Sequence, residues 1–238
     1  MPDDFSQFAS PAASISRPLQ GLTVLVVEDS RFASEAMRLL CLRSGARIRR
    51  ADCLRTARRH LQVYRPGAVI VDLGLPDGSG ADLIADLAAA RPRLPVILAI
   101  SGDPAGAAPA RAAGADGFLT KPIDSLALFQ QAILGCLPAN ARPYGLHMLP
   151  DARVEPDRLA LRDDLSHVAG VLAKAPDEAA IDYITRFLAG LARSSGDPAL
   201  ADAAADLARG RQSGAAAAPG LARLHSLVAE RLNTGATF

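Results

Sequence analysis

Polar side chains follow several of the apolar runs in this 238-residue sequence. Glu28 and Asp29 come directly after the run LTVLVV, and Asp72 lies near the end of AVIVDL. Ser101 follows PVILAI, and Lys121 follows DGFLT. In open α/β sheets, ligands bind beyond the carboxyl ends of the strands. If these runs are parallel strands, three carboxylates, a hydroxyl and an ammonium group therefore meet at one edge.

This set of groups is suited to metal-assisted phosphoryl chemistry. Three carboxylates in one pocket repel one another, and a divalent cation with oxygen ligands, such as Mg²⁺, removes that conflict. One of the carboxylates would attack an incoming phosphoryl group, since an aspartate nucleophile can form an aspartyl phosphate. Lys121 and Ser101 would then bind the phosphoryl oxygens.

The elements that position these groups can be read from residues 20–137. Short apolar runs alternate there with longer amphipathic segments, which is typical of parallel strands covered by helices. The predicted strands are 22–27, 46–51, 68–73, 95–100 and 116–120, and the predicted helices are 30–43, 53–63, 79–90, 104–113 and 123–137. The fold class predicted for this half is α/β, a doubly wound five-stranded parallel sheet.

The second half has a different pattern. Residues 1–19 are expected to be a disordered tail, and the proline-containing stretch 138–156 a linker. From 157 to 238 the chain contains no strand signal. Apolar residues with helical spacing predict four helices that form a small all-α bundle, at 157–173, 177–194, 198–209 and 220–233.

Composition excludes several classes of protein. Half of the residues are apolar and the net charge is +1, so the chain is expected to fold and has no global field for nucleic acid or anionic membranes. Cys41, Cys53 and Cys136 are widely spaced and form no CxxC, which disfavours a disulfide framework and a zinc site. With no apolar run long enough to span a membrane, a cytoplasmic location is expected.

The motifs VLVVEDS, VIVDLGLPDGSG, AISGD and GADGFLTKPI occur in this order, and together they resemble the receiver domain of two-component response regulators. The resemblance covers residues 20–137 and implies a flavodoxin-like fold. It also implies that a histidine kinase or a histidine phosphotransfer protein donates a phosphoryl group. The receiver itself would catalyse its phosphorylation and dephosphorylation with Mg²⁺.

The resemblance also implies roles for single residues. Asp72 corresponds to the phosphoacceptor, Glu28 and Asp29 to the acidic pair that holds Mg²⁺, and Gly74 to the position whose backbone carbonyl is a metal ligand. Ser101 and Phe118 correspond to the two switch positions. Lys121 corresponds to the family's lysine and begins a Lys-Pro bond that is typically cis, and the catalytic set is Asp72, Ser101 and Lys121.

Three alternatives remain for the function of the C-terminal half. A protein-interaction bundle is favoured, because residues 151–238 contain 10 basic and 12 acidic residues, a poor balance for a DNA-binding regulator. No separate enzymatic motif is visible in this half. The remaining alternative is a phosphotransfer protein that uses His167 as a second phosphoacceptor beside two aspartates.

A weaker resemblance concerns residues 186–207, which are similar to histidine phosphotransfer domains. Leu188 and Gly190 match their pattern, whereas Arg186 stands at the position of the phosphorylated histidine and Ala189 at that of the lysine. The resemblance therefore implies a bundle that has lost transfer chemistry and kept an interaction surface. We expect this bundle to pack on, or to be released from, the receiver face formed by the helices predicted at 104–113 and 123–137, so that its partner site is masked in one state.

Overall fold

Seven strands and five helices make up the first half of the chain. The computed structural model describes residues 17–139, 152–174, 176–214 and 216–234. The strands are β1 (Thr23–Val27), β2 (Arg47–Ala51), β3 (Ala68–Asp72), β4 (Gly74–Leu75), β5 (Gly78–Ser79), β6 (Val96–Ser101) and β7 (Gly117–Thr120). The helices are α1 (Arg31–Ser44), α2 (Leu54–Val63), α3 (Gly80–Ala89), α4 (Ala107–Ala112) and α5 (Leu126–Cys136).

Five of the strands form a parallel sheet of the order β2-β1-β3-β6-β7, which confirms the predicted fold class. Helices cover both faces, so the central strands are buried on both sides. One core, centred on Met37 and Phe129, packs α1 and α5 on the sheet; the other, centred on Leu83 and Ile84, packs α2 and α3 on the opposite face. The antiparallel pair β4–β5 was not predicted.

Four helices follow, and they confirm the all-α character predicted for the second half. They are α6 (Arg158–Leu172), α7 (Glu178–Ser195), α8 (Pro198–Gln212) and α9 (Ala218–Thr234). Their shared core contains apolar side chains from every helix, including Leu165, Leu188, Leu200 and Leu224. Asp197 caps α8 by accepting a hydrogen bond from the Leu200 amide at 3.0 Å, with proline in the first turn as predicted.

The segments between these units are only partly described. Residues 1–16 of the expected tail and 140–151 of the expected linker lie outside the described residues. Leu19 is buried in the core between the sheet, α1 and α5. Val154 is also buried, and its amide donates to the Asp124 carbonyl oxygen at 2.8 Å. The end of the expected linker is therefore packed on the α/β half at the start of α5.

The bundle docks on α1 rather than on α4 and α5, so the expected docking face is wrong. Phe32, in the first turn of α1, is part of the bundle core. The buried carboxylate of Asp164 accepts hydrogen bonds from Ser30 Oγ at 2.8 Å and from the amides of Arg31 and Phe32 at 3.0 and 3.1 Å. The first turn of a helix offers unpaired amides, and here α6 supplies their acceptor.

Within the part of the chain that the structure describes, no helix is both long and apolar enough to cross a bilayer.

Replacing Asp164 with alanine should destabilise the docked protein. The substitution leaves Ser30 Oγ and two amides of α1 without their acceptor, at an expected cost of about 1–3 kcal/mol in the free energy of unfolding. Asp163→Ala is the matched control, because its ion pair with Arg31 is exposed and should contribute less than about 1 kcal/mol. Urea unfolding of the full chain measures both values, and equal losses would contradict the capping role of Asp164.

Candidate functional site

Three carboxylates converge at the carboxyl edge of the sheet. Glu28 and Asp29 follow β1, and Asp72 is the last residue of β3, the neighbouring strand. Each offers a carboxylate oxygen, and the three oxygens lie within 4.8 Å of one another. Glu28 and Asp72 are buried and Asp29 is half-buried. The parallel register thus brings together the carboxylates that the sequence predicted as a cluster.

Lys121, directly after β7, lies among these carboxylates. Its Nζ is 2.6 Å from Glu28 Oε2 and donates a hydrogen bond to Asp72 Oδ2 at 2.7 Å. Burial lowers the pKa of Lys121, but the two carboxylates outweigh burial and hold the pKa above its ordinary value. The ammonium group therefore stays charged. The Lys121–Pro122 peptide bond is cis, as the resemblance implies.

The donor set fits Mg²⁺. Burial raises the pKa of Glu28 well above its ordinary value, and Asp72 and Asp29 raise it further, against the opposing effect of Lys121. Glu28 Oε2 is buried and has no hydrogen-bond partner among the described residues, although Lys121 Nζ is close. One lysine cannot balance the formal charge of three carboxylates in this all-oxygen cluster. Hard divalent cations prefer such a site.

Two glycines shape the loop after Asp72. A Cβ on Gly80 would lie 1.9 Å from the Asp72 carbonyl oxygen, so the start of α3 can approach this backbone only without a side chain. A Cβ on Gly74 would meet nothing within 4 Å, which leaves that side of the pocket open. Asp77 fixes the same loop by accepting hydrogen bonds from the amides of Leu54 and Arg55 at 2.8 and 2.9 Å.

The two predicted switch residues lie on neighbouring strands. Ser101 ends β6, and its Oγ accepts a hydrogen bond from the Asp103 amide at 3.1 Å. Phe118 is half-buried in β7 and packs on the core with α2 and α3. A Cβ on Gly106 would lie 3.4 Å from Phe118 Cε2 and 3.4 Å from Ser101 Cβ, so both predicted switch residues lie beside Gly106.

Tyr183 of α7 reaches the acidic pair from the bundle. Its hydroxyl donates a 2.6 Å hydrogen bond to Asp29 Oδ2. Burial raises the pKa of Tyr183, and the charge of Asp29 raises it further, so the hydroxyl remains a donor. Burial also raises the pKa of Asp29, while the bond from Tyr183 opposes that shift. One oxygen of a candidate metal ligand is thus held by the bundle.

Helix α7 continues across the mouth of the site. A Cβ on Gly102 would lie 3.3 Å from Arg193 Cζ and 3.4 Å from Gly190 Cα, so the loop after β6 and the backbone of α7 touch closely. Between them is a crevice of about 770 Å³, lined by Asp72, Ser101 and Lys121 from one side and by Arg186 and Arg193 from the other. The phosphoacceptor candidate therefore faces the bundle.

His167 is exposed on α6 and does not line the crevice that contains Asp72. It lines a neighbouring crevice together with Asp29, Asp163 and Asp164. The structure thus places it beside the two aspartates named from the sequence but on another surface from Asp72, the predicted phosphoacceptor. Sequence reasoning missed Tyr183 and Asp77 and gave Asp164 no role, because their partners lie far away along the chain.

Gly80→Ala should disturb the backbone of Asp72. The new methyl group cannot fit beside the Asp72 carbonyl, and we expect a loss of at least about 2 kcal/mol in the free energy of unfolding. Gly74→Ala is the control within the same loop, because its methyl group enters open space and should change stability by less than about 1 kcal/mol. Thermal and urea unfolding of both variants checks this, and equal stabilities would argue against the close contact at Gly80.

Tyr183→Phe should increase the affinity of the full chain for Mg²⁺. Without the hydroxyl, both oxygens of Asp29 become available to a cation, and a hydrogen bond of this kind corresponds to an increase of about 3–10-fold. Tyr64→Phe is the control, since the buried Tyr64 hydroxyl has no hydrogen-bond partner among the described residues. Isothermal titration with MgCl₂ gives both affinities. An unchanged affinity in Tyr183→Phe would show that the bundle does not compete for Asp29.

Comparisons with known proteins agree with this geometry. Residues 24–133 match the family model of the response regulator receiver domain. The KDP operon transcriptional regulatory protein KdpE of Escherichia coli K12 is 32% identical over 99 residues, which are 42% of this chain and 44% of that protein. The virulence transcriptional regulatory protein PhoP of Salmonella typhimurium is 31% identical over 116 residues, 48% of this chain and 52% of PhoP. The chain thus spans about half the length of these relatives.

Solved structures are similar over the same half. A CheY-like receiver domain from Methylobacillus flagellatus is 30% identical, covers 47% of this chain and 98% of its own, and has a TM-score of 0.42. The receiver domain of a histidine kinase from Syntrophus aciditrophicus is 23% identical, covers 54% and 98%, and has a TM-score of 0.46. With the family match, the sheet order and the acidic edge in agreement, residues 24–133 of this chain are a response regulator receiver domain.

Proposed function

We propose that the chain is a phosphorylation-controlled signalling protein of a two-component system. Asp72 accepts a phosphoryl group with Mg²⁺ held by Glu28, Asp29, Asp72 and the Gly74 carbonyl, and the helical bundle passes the signal to a protein partner. One observation carries this proposal: Asp72 lies in ion-pair contact with Lys121 and in the same crevice as α7 of the bundle. The phosphoryl donor is a histidine kinase or a histidine phosphotransfer protein.

The transfer step follows from the contacts of Asp72. Its Oδ2 is engaged by Lys121, and its Oδ1 accepts only a long 3.3 Å hydrogen bond from the Gly74 amide. An oxygen of this carboxylate attacks phosphorus, the new O–P bond forms, and the donor's P–N bond breaks with its electron pair leaving on the imidazole nitrogen. With acetyl phosphate, the bond that breaks is P–O and acetate leaves.

The other receiver groups bind the transferred phosphoryl group. Bound Mg²⁺ supplies charge neutralisation for the phosphoryl oxygens. Lys121 moves its hydrogen bond from Asp72 to a phosphoryl oxygen, and the Ser101 hydroxyl donates to another. Rotation of Ser101 toward the phosphoryl group would change the surroundings of Gly106, beside which Phe118 also lies.

The bundle is the natural output because it contacts the site directly. Phosphorylation adds negative charge opposite α7 and alters the electrostatic environment of the Asp29–Tyr183 bond. A phosphoryl group can shift the docking equilibrium only through different contacts in the docked and undocked states. These side chains supply such contacts, and a partner protein would read the resulting position of the bundle.

Incubation of the full chain with Mg²⁺ and acetyl phosphate should add the mass of one phosphoryl group, and the adduct should be labile in base. Asp72→Asn removes the nucleophile and should abolish the adduct. Asp86→Asn is a control, since Asp86 is an exposed aspartate of α3 paired only with Arg58. Intact-protein mass spectrometry measures the result. An adduct that persists in Asp72→Asn would overturn the assignment of Asp72.

A second candidate function is transcriptional regulation, because the relatives KdpE and PhoP are transcriptional regulatory proteins. If this chain binds DNA, its affinity should fall steeply as salt is raised, because phosphate contacts release counterions. Titration of the full chain, with and without phosphorylation, against random and genomic fragments at two salt concentrations tests this. If neither the phosphorylated nor the unphosphorylated chain shows salt-dependent DNA binding, signalling to a protein partner remains the proposed function.

A further inference from the structure

Two arginines of α7, Arg186 and Arg193, line the crevice that contains Asp72. Arg186 and Arg193 each donate Nε to a carbonyl oxygen of their own helix, that of Asp182 at 3.2 Å and that of Ala189 at 3.0 Å. Among the described residues, neither forms an ion pair within 4 Å, and the terminal nitrogens of both lack hydrogen-bond partners, although Asp103 and Asp202 line the same crevice. Each guanidinium group therefore keeps donors available for a ligand.

Other arginines of the bundle are used differently. Four of them form ion pairs with carboxylates of the bundle itself, namely Arg209, Arg211, Arg223 and Arg231. Those pairs join or brace helices, as the pairs of Arg211 with Asp182 and of Arg231 with Asp197 illustrate. Arg158 and Arg162 of α6 also form no ion pair among the described residues, but neither lines the crevice of Asp72. Arg186 and Arg193 thus combine unused donors with a place on that crevice.

The charge balance of the site indicates what ligand these donors would bind. With every group counted as ionised, three carboxylates and one ammonium group give the site a formal charge of −2, and a bound Mg²⁺ would bring it to zero. A phosphoryl group replaces the single charge of Asp72 with about −1.5 to −2. The phosphorylated, metal-loaded site therefore again carries excess negative charge, in the crevice that the two guanidinium groups line.

We propose that Arg186 and Arg193 form a phosphoryl-binding site in the bundle, which binds phosphorylated Asp72 across the crevice. The inference rests on the proposed phosphorylation of Asp72. Guanidinium groups bind phosphoryl oxygens through two parallel N–H donors, a geometry that lysine cannot reproduce. Arg193 is already placed against Gly102, the residue after Ser101. The phosphoryl group thus gains ligands from both halves of the chain.

The direction of the response follows from this arrangement. A bond between the phosphoryl group and α7 exists only while the bundle is docked, so phosphorylation stabilises the docked state. The bundle is then held against the receiver more tightly instead of being released. By reciprocity, the docked bundle increases the affinity of the receiver for a phosphoryl group.

Beryllofluoride, a tetrahedral anionic analogue of the phosphoryl group, tests the site without a chemical step. Its dissociation constant is measured by isothermal titration with the full chain at saturating Mg²⁺. We expect Arg193→Ala to weaken binding about tenfold and Arg186→Ala/Arg193→Ala to weaken it further, with Mg²⁺ affinity unchanged. Arg193→Lys should recover only part of the loss. Arg162→Ala is the control, since Arg162 is exposed on α6 and lies outside this crevice.

Hydrogen exchange supplies a readout that does not depend on affinity. Amides of residues 182–196 should gain protection when acetyl phosphate phosphorylates wild type or Arg162→Ala, and should not gain it in the double arginine variant. Equal beryllofluoride affinities and equal protection in all variants would overturn the arginine site while leaving phosphorylation of Asp72 intact. Inorganic phosphate that binds Asp72→Asn as tightly as beryllofluoride binds wild type would identify a general anion site and overturn it too. Failure of wild type to bind beryllofluoride or accept phosphate would overturn the proposed function itself.

Discussion

The buried contact of Lys121 with Glu28 and Asp72 is the interaction on which the site depends. Three carboxylates can be brought together at a sheet edge only if positive charge lies among them, and here that charge comes from the end of a third strand. The contact joins the ends of β1, β3 and β7, and the parallel register of the sheet brings these ends together. The sheet therefore positions Asp72, and Lys121 supplies the positive charge beside it.

The second constraint is that the first amides of α1 have no hydrogen-bond acceptor within their own helix. This helix begins directly after the acidic pair, so its first amides and the candidate metal ligands share one short loop. Asp164 binds the amides and Tyr183 binds Asp29, which means that one surface of the bundle recognises both features. The bundle therefore contacts the receiver through polar groups of the site itself, and its position is sensitive to the charge there.

Much of the fold was accessible from sequence because its signals are local. Alternating apolar runs gave all five strands of the sheet, helical spacing gave every helix, and strand ends gave the carboxylate cluster. The docking face was predicted wrongly, since Ser30 and Asp164 are 134 residues apart and no local pattern pairs them. Tyr183 was missed for the same reason: its role depends on Asp29, 154 residues earlier. Gly80 is visible in the sequence as part of the motif GSG. The reason why a glycine is needed there, its close approach to the Asp72 carbonyl, is seen only in the backbone geometry.

The residues of α7 that face the receiver are spaced so that they move together with the helix. Tyr183, Arg186, Gly190 and Arg193 recur every three or four residues, so all four lie on the face turned toward the receiver. A rigid helix cannot release Asp29 from Tyr183 while leaving its other contacts unchanged. Any cation that engages Asp29 therefore acts on the same helix that lines the phosphoacceptor crevice. Because linkage between sites is reciprocal, the bundle's docking must in turn alter the affinity of the acidic site for its cation.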